Sequence, residues 1–310
     1  MTKYEYQRVP REVYEEYAEK ADLLLLDISR SQNIEIKNIK YTDVILFFQS
    51  RFNIHFAFFE ADPGEIFQLD DEWPHTCADN TWVRYTDLVH DPDFQFLPLQ
   101  IVDRISGITI PSGKRTLIMV NQDRVIQRVI FTVLHELCHF YFHILDNKKS
   151  QVFVSLSNDQ IEGHYAPELV PFETEANNIA SILFCPTERL EYMIIEKYTF
   201  KDMCRSVGMS EPAMHNRLLN YFEHVLQLAS HLALNFVLKI RKQNINIYPS
   251  IIHKIYVRRN EKKARENEAI RVAVQDAYVD KYGDSAFWQE IFSDLGIVPL
   301  DEVNDELPFD

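Results

Sequence analysis

The chain has 310 residues, a formal net charge of −15, and 46% hydrophobic and 13% aromatic content, which suits one main core with appendages and excludes a disordered chain. The acidic balance works against binding to phosphate backbones, which draws on Lys and Arg. Four cysteines without a CxxC pair read as buried thiols of a reducing cytoplasm, and only seven glycines among long apolar-periodic stretches point to a helix-dominated protein. The charged stretch from Met1 to Tyr17 has no apolar run, so no signal peptide is expected. The longest uncharged stretch near the end, Val225 to Leu238, contains Gln227, Ser230, His231 and Asn235 and is no membrane span.

Four zones follow in chain order. Residues 1–54 form an N-terminal helical part with two amphipathic helices. One runs from Val13 to Ile28, with Tyr17, Ala21, Leu24, Leu25 and Ile28 on one face; the other runs from Asp43 to Phe52. Residues 55–198 are the second zone. It opens with short β-type runs, among them His55–Phe59 and Thr116–Val120. Between these runs, Pro63-Gly64, Pro74, Asp91-Pro92 and Pro111-Ser112-Gly113 mark a loop-rich stretch. A small sheet is expected.

The second zone then carries the most informative residues. Val125, Ile126, Val129, Ile130, Val133 and Leu134 recur at helical spacing with no Pro or Gly, so 123–143 reads as a buried helix. Its end is His135-Glu136-Leu137-Cys138-His139, an HExxH pattern. Positions i and i+4 share a helix face, so both imidazoles can bind one cation, and Glu136 then faces a water on its open side. A catalytic zinc site takes three protein ligands and keeps a fourth position for water, so the pattern asks for one more ligand.

A second helix, over 172–185 between Pro171 and Pro186, offers it. Ala176, Ile179, Ala180 and Leu183 make an apolar face whose alanines permit close approach to the first helix. Glu173 begins that face and can supply a carboxylate. Asn177, one turn later, can take the free N–H of a ligating histidine and so set its tautomer. Glu175 is the alternative third ligand; Glu173 is preferred because it alone has a polar residue four positions on.

Residues 199–221 read as a helix-turn-helix-like segment, with a turn at Gly208 and a cap at Ser210. As a DNA reader its donors would be His215, Asn216 and Arg217, behind a Glu211 that phosphates repel. A helical pair packed on the preceding domain, or holding a protein partner, is the stronger reading. Residues 222–310 are a helical C-terminal region. It holds an amphipathic helix over 222–240 (Phe222, Val225, Ala229, Leu232, Phe236, Ile240), a basic stretch from Lys239 to Arg265 and an acidic end.

His135 to His143, HELCHFYFH, followed about thirty residues later by ExEANxxAxxxxxP, resembles the ImmA/IrrE family of metallopeptidases. The resemblance covers roughly 15–220 and is strongest over 105–190. Cys138 stands where the family usually has Gly, Ile179 where it has Phe, and Cys185 where it has Met, all packing positions. The resemblance implies a helix-rich α+β, zincin-like domain with a small sheet and two zinc-binding helices. It also fits Thr116–Asn121 to an edge strand, and such an edge pairs readily with an extended substrate.

In this reading His135, His139 and Glu173 hold Zn2+, and Glu136 serves as general base and then acid. An oxyanion donor is left open among Tyr141, His143, His164 and Tyr165, and His143 reads equally as a helix-terminal residue suited to the macrodipole. A metzincin is excluded, since the required Gly and His are Phe142 and Leu145. The implied function is a cytoplasmic zinc endopeptidase of narrow specificity, cleaving a helix-turn-helix repressor of a phage, mobile element or stress regulon. The alternative is a regulatory protein- or DNA-binding protein with a structural or vestigial zinc. Neither reading involves a membrane, and the charge disfavours nucleic acid.

Overall fold

The computed structural model describes residues 8–52, 54–61, 95–97, 102, 104–112, 115–145, 153–156 and 168–282. They form a helix-rich α+β fold around a small sheet. Two compact units are present, Met1–Pro249 and Ser250–Asp310. The metal-ligand candidates and the helix-turn-helix-like pair lie in the first.

Helix α1 (Arg11–Gln32) buries Tyr14, Tyr17, Ala21, Leu24, Leu25 and Ile28, the 3–4 spacing of one helical stripe. It stops where Asn33 turns left-handed at φ 54°, its N–H bonding back to Ser29 O. Helix α2 (Tyr41–Arg51) opens with the Asp43 carboxylate accepting from the Lys40 N–H at 2.8 Å. Phe47, Phe48, Phe52 and Phe140 then stack edge to face between α2 and the helix that carries the histidines. Phe47, Phe48 and Phe140 are buried, and full burial of such a side chain contributes about 1.5–3 kcal/mol of transfer free energy.

Among the described residues the sheet has five strands, in the order β2-β1-β4-β3-β5. They are β1 (Ile54–Ala61), β2 (Gln95–Leu97), β3 (Ile105–Ser112), β4 (Arg115–Asn121) and β5 (Phe153–Leu156). β1 runs parallel to β2 and β4, whereas β3 is antiparallel to β4 and β5. Thr116–Asn121 is therefore not an edge. β4 sits mid-sheet, with Phe56 opposite Ile118 on one side and Thr109 opposite Ile118 on the other. Ile118 and Val120 are fully buried, which accounts for the apolar run and corrects the edge-strand expectation; the edges are β2 and β5.

Helix α3 (Ile126–Cys138) packs on β3 and β4 and against helix α4 (Val170–Phe184). Pro171 sits in the first turn of α4, where its missing N–H costs nothing, and Pro186 follows its end. Ala176, Ile179, Ala180 and Leu183 are all buried, as their spacing implied. Helix α5 (Thr187–Ile195) leads to α6 (Phe200–Val207) and α7 (Glu211–Asn220). Gly208 between them has φ 83°, a conformation an L side chain rarely adopts, and the Ser210 hydroxyl accepts from the Ala213 N–H.

The single amphipathic helix expected over 222–240 is broken. A π-helical turn, Tyr221–Val225, ends in a reversal with Gln227 at φ 55°, and α8 starts afresh at Ser230 and runs to Arg241. Its buried face is Ala233, Phe236, Val237 and Ile240, leaving Leu232 exposed. The last helix, α9 (Tyr248–Tyr282), begins at the boundary of the second unit. Within that unit its charges pair along the helix, Arg271 with Glu268 at 2.7 Å and Lys262 with Glu266 at 3.9 Å. Among the described residues no helix is long and apolar enough to cross a membrane.

Candidate metal centre

Helix α3 delivers His135 and His139 to one face, one turn apart, and α4 brings Glu173 to meet them. His135 Nε2 and His139 Nε2 are 3.0 Å apart; His135 Nε2 lies 3.2 Å from Glu173 Oε2 and His139 Nε2 lies 3.2 Å from Glu173 Oε1. All three residues are buried. Ligands about 2.0–2.1 Å from a tetrahedral zinc stand about 3.3 Å from one another, so the two ring nitrogens and the Glu173 carboxylate stand at separations such an ion asks for. Two imidazoles and a carboxylate are also a donor set that zinc takes in catalytic sites. The residues present fit the ion.

The electrostatics agree. Burial opposes the charge of Glu173, but bonds to His135 and His139 outweigh it and hold the carboxyl well below the usual carboxylate range. Burial pushes His139 down to about 4, so it is neutral at neutral pH with a lone pair to offer. Burial also opposes protonation of His135, but the bond to Glu173 and the charges of Glu173 and Glu136 prevail and raise it.

Glu136 is fully buried against the sheet. Thr109 on β3 donates its hydroxyl to Glu136 Oε2 at 2.6 Å. Two positions earlier on the same strand face is Gly107, and a Cβ there would lie 2.5 Å from Glu136 Oε1 and 2.7 Å from Thr132 Cγ2. The glycine makes room for the carboxylate and the threonine holds it. Neither residue was singled out from the sequence. An isolated Gly inside a strand pattern, Ser106-Gly107-Ile108-Thr109, is a signal of close approach that could have located them.

Glu175, the alternative third ligand, faces elsewhere. Its Oε1 accepts from Lys20 Nζ of α1 at 2.8 Å, and its Oε2 lies 3.4 Å from His143 Nε2. The partner expected at Asn177 is also found elsewhere. The outer nitrogen of His139, Nδ1, lies 2.9 Å from His143 Nδ1, so His143 takes the place assigned to Asn177. Asn177 is half-buried and bonds neither histidine among the described residues, while His135 Nδ1 has no hydrogen-bond partner there. The physical reason is local. After Cys138 the helix widens into a π turn, His139–Ile144, in which the Leu145 N–H reaches Phe140 O, and the third histidine comes into line behind the second. Phe153 of β5 stacks on His139 at 4.4 Å.

Of the oxyanion candidates, Tyr141 packs its ring on Phe48 and Phe52, and His143 is engaged as above. His164 and Tyr165 lie outside the described residues. Cys138, Cys185 and Cys204 are free buried thiols, and burial raises all three; Cys77 lies outside the described residues.

The second helix of the helix-turn-helix-like pair is not free to read DNA with Arg217. That guanidinium is fully buried, donating to Cys185 O at 3.0 Å, to Thr187 Oγ1 at 3.0 Å and to the Tyr14 hydroxyl at 3.4 Å. It fastens α7 to the end of α4, the start of α5 and α1. The exposed His215 edge faces Arg241, which also pairs with Glu211 at 3.4 Å.

No curated protein matches the chain. Residues 93–219 match the model of the peptidase M78 family, described as the IrrE N-terminal-like domain. That range holds both metal-site helices, Thr109 and Gly107 of β3, and the Arg217 clamp. Residues 93–219 are thus similar to the IrrE N-terminal-like domain of the peptidase M78 family, which agrees with the ImmA/IrrE metallopeptidase resemblance read from the two helices.

Proposed function

We propose that the protein is a cytoplasmic zinc endopeptidase of narrow specificity whose substrate is a helix-turn-helix transcriptional repressor. The observation that carries the reading is the buried His135–His139–Glu173 group with Glu136 one residue on, inside an M78-type domain. A binding protein has no need of a carboxylate there, still less of one braced by Thr109. Free buried thiols agree with a reducing compartment.

His135, His139 and Glu173 would hold the zinc, which when bound polarises the scissile carbonyl and acidifies water. Glu136 accepts the proton of the attacking water and returns it to the leaving amine. Thr109 keeps one carboxylate oxygen occupied, which fixes the orientation of the Glu136 carboxylate. The repressor is inferred from the family resemblance.

The test is incubation of the zinc-loaded chain with helix-turn-helix repressors encoded beside it, read by mass spectrometry, with Glu136→Gln alongside. A discrete cut made only by the wild type, and stopped by a chelator, supports the reading. A repressor bound intact and equally by both proteins would contradict it and leave a regulatory binding protein.

A further inference from the structure

Behind the metal-facing group a chain of side chains runs outward to the first helix. His139 turns Nε2 toward His135 and Glu173, and its Nδ1 lies 2.9 Å from His143 Nδ1. His143 Nε2 lies 3.4 Å from Glu175 Oε2, and Lys20 Nζ donates to Glu175 Oε1 at 2.8 Å. Lys20 is further held by Glu16, also at 2.8 Å. His139 and His143 are buried, Glu175 is nearly so, and Lys20 reaches solvent. Three separate stretches meet here: α1, the π turn after α3, and the second turn of α4.

One order of protons suits every link. A lone pair at His139 Nε2 requires the ring hydrogen at Nδ1, where it is donated to His143 Nδ1. The hydrogen of His143 must then sit at Nε2, which makes no hydrogen bond among the described residues but stands 3.4 Å from Glu175 Oε2, within reach of the carboxylate's charge. Lys20 offsets that carboxylate's charge. The opposite order puts a hydrogen on His139 Nε2, between His135 and Glu173, and leaves nothing there for a cation. Stacking by Phe153 restrains the plane of the His139 ring but does not choose between its nitrogens.

We propose that His143, Glu175 and Lys20 are positioning residues that set the tautomer and orientation of His139, and that α1 thereby tunes metal affinity. The inference rests on the metal-site reading above. It gives the N-terminal helix a role in the site although that helix supplies no ligand.

The experiment uses the full chain and zinc itself, with affinity measured by competition against a chromophoric chelator. Cobalt absorption bands of the substituted protein report ligand geometry independently of activity. His143→Ala and Glu175→Ala should each weaken zinc binding by about 10–100-fold and alter the cobalt bands. The double variant should be no weaker than His143→Ala alone, because the two act in series. His143→Gln, which restores an acceptor, should recover part of the loss, and Lys20→Met should give a smaller weakening. Melting of each metal-free variant identifies misfolding, and the half-exposed Lys20→Met variant serves where His143→Ala does not fold. Unchanged zinc affinity and cobalt bands in Glu175→Ala and Lys20→Met, or additive losses in the double variant, overturn the inference. Failure of the wild type to bind zinc overturns the metal site itself, a different result.

Discussion

Thr109 and Glu136 meet across the interface of β3 and α3, the threonine hydroxyl 2.6 Å from Glu136 Oε2, with no water-facing surface on either residue. A buried carboxylate that accepts a hydroxyl hydrogen bond is held in one orientation. A proton acceptor needs that. Thr109→Val keeps the shape and removes the donor, so it should cost about 1.5–3 kcal/mol at the carboxylate, roughly a ten- to hundred-fold fall in kcat. Zinc content should stay at the wild-type level. A fall in zinc content in step with kcat would mean that Thr109 supports the fold and not Glu136.

Gly107→Ala tests the same contact from the backbone. The added Cβ would stand 2.5 Å from Glu136 Oε1, and β3 is paired on both sides, so the strand has little freedom to withdraw. Overpacking of this kind costs about 1–3 kcal/mol of stability. Cleavage should fall further than stability does, because the atom displaced is the reacting carboxylate. A fully active Gly107→Ala protein would show that Glu136 can work from another position.

Glu136→Gln should leave zinc binding intact and abolish cleavage. The amide is nearly isosteric and accepts from Thr109, but it cannot take a proton from water. Single-turnover assays on a cut repressor read this directly. Appreciable residual turnover would move the base to another residue.

Metal binding should release protons near neutral pH. His135 is raised from 6.5 by Glu173 and Glu136 in spite of burial, so in the metal-free chain it holds its proton through the window just above 6.5. Its charged pairing with Glu173 stabilises the metal-free fold fully below 6.5 and is lost as pH rises through the raised value. Zinc needs the neutral ring, so affinity climbs with pH through that window and levels off above it. His139, lowered to about 4, adds nothing to this climb. Calorimetry in two buffers of different ionisation heat should show unequal apparent heats at pH 7 and equal ones at higher pH. Equal heats at both would mean that His135 is already neutral.

Arg217→Ala should destabilise the chain by on the order of 3 kcal/mol, because Cys185 O and Thr187 Oγ1 lose a buried charged donor. Thermal melting of the metal-free protein measures it. A stable variant that had lost affinity for DNA would restore the DNA-reading role the burial of Arg217 argues against.

The local patterns were readable and the pairings between them were not. HExxH and the Glu173 face lie on single helices, where 3.6-residue periodicity alone says which side chains point together. The Gly208 turn and Ser210 cap are likewise local chemistry. Strand order is a long-range property, so nothing within the run Thr116–Asn121 announces that β1 and β3 flank it. The same gap explains Asn177 and His143. Spacing along α4 put Asn177 on the inward face, but a widened turn in the other helix decided which group meets His139. Arg217 looked like an exposed donor because nothing in its neighbours announces the carbonyl of Cys185, 32 positions away. The break after Val225 hangs on Gln227 at positive φ, a conformation only Gly or Asn usually advertises.

The most direct measurement is zinc content by elemental analysis on the wild type beside His139→Ala and Glu173→Ala. One zinc per wild-type chain, lost in both variants and kept at saturating metal in Glu175→Ala, is the expected result. A wild-type chain that takes up no zinc even when it is added back, or a Glu173→Ala variant that retains it, would contradict the His135–His139–Glu173 site.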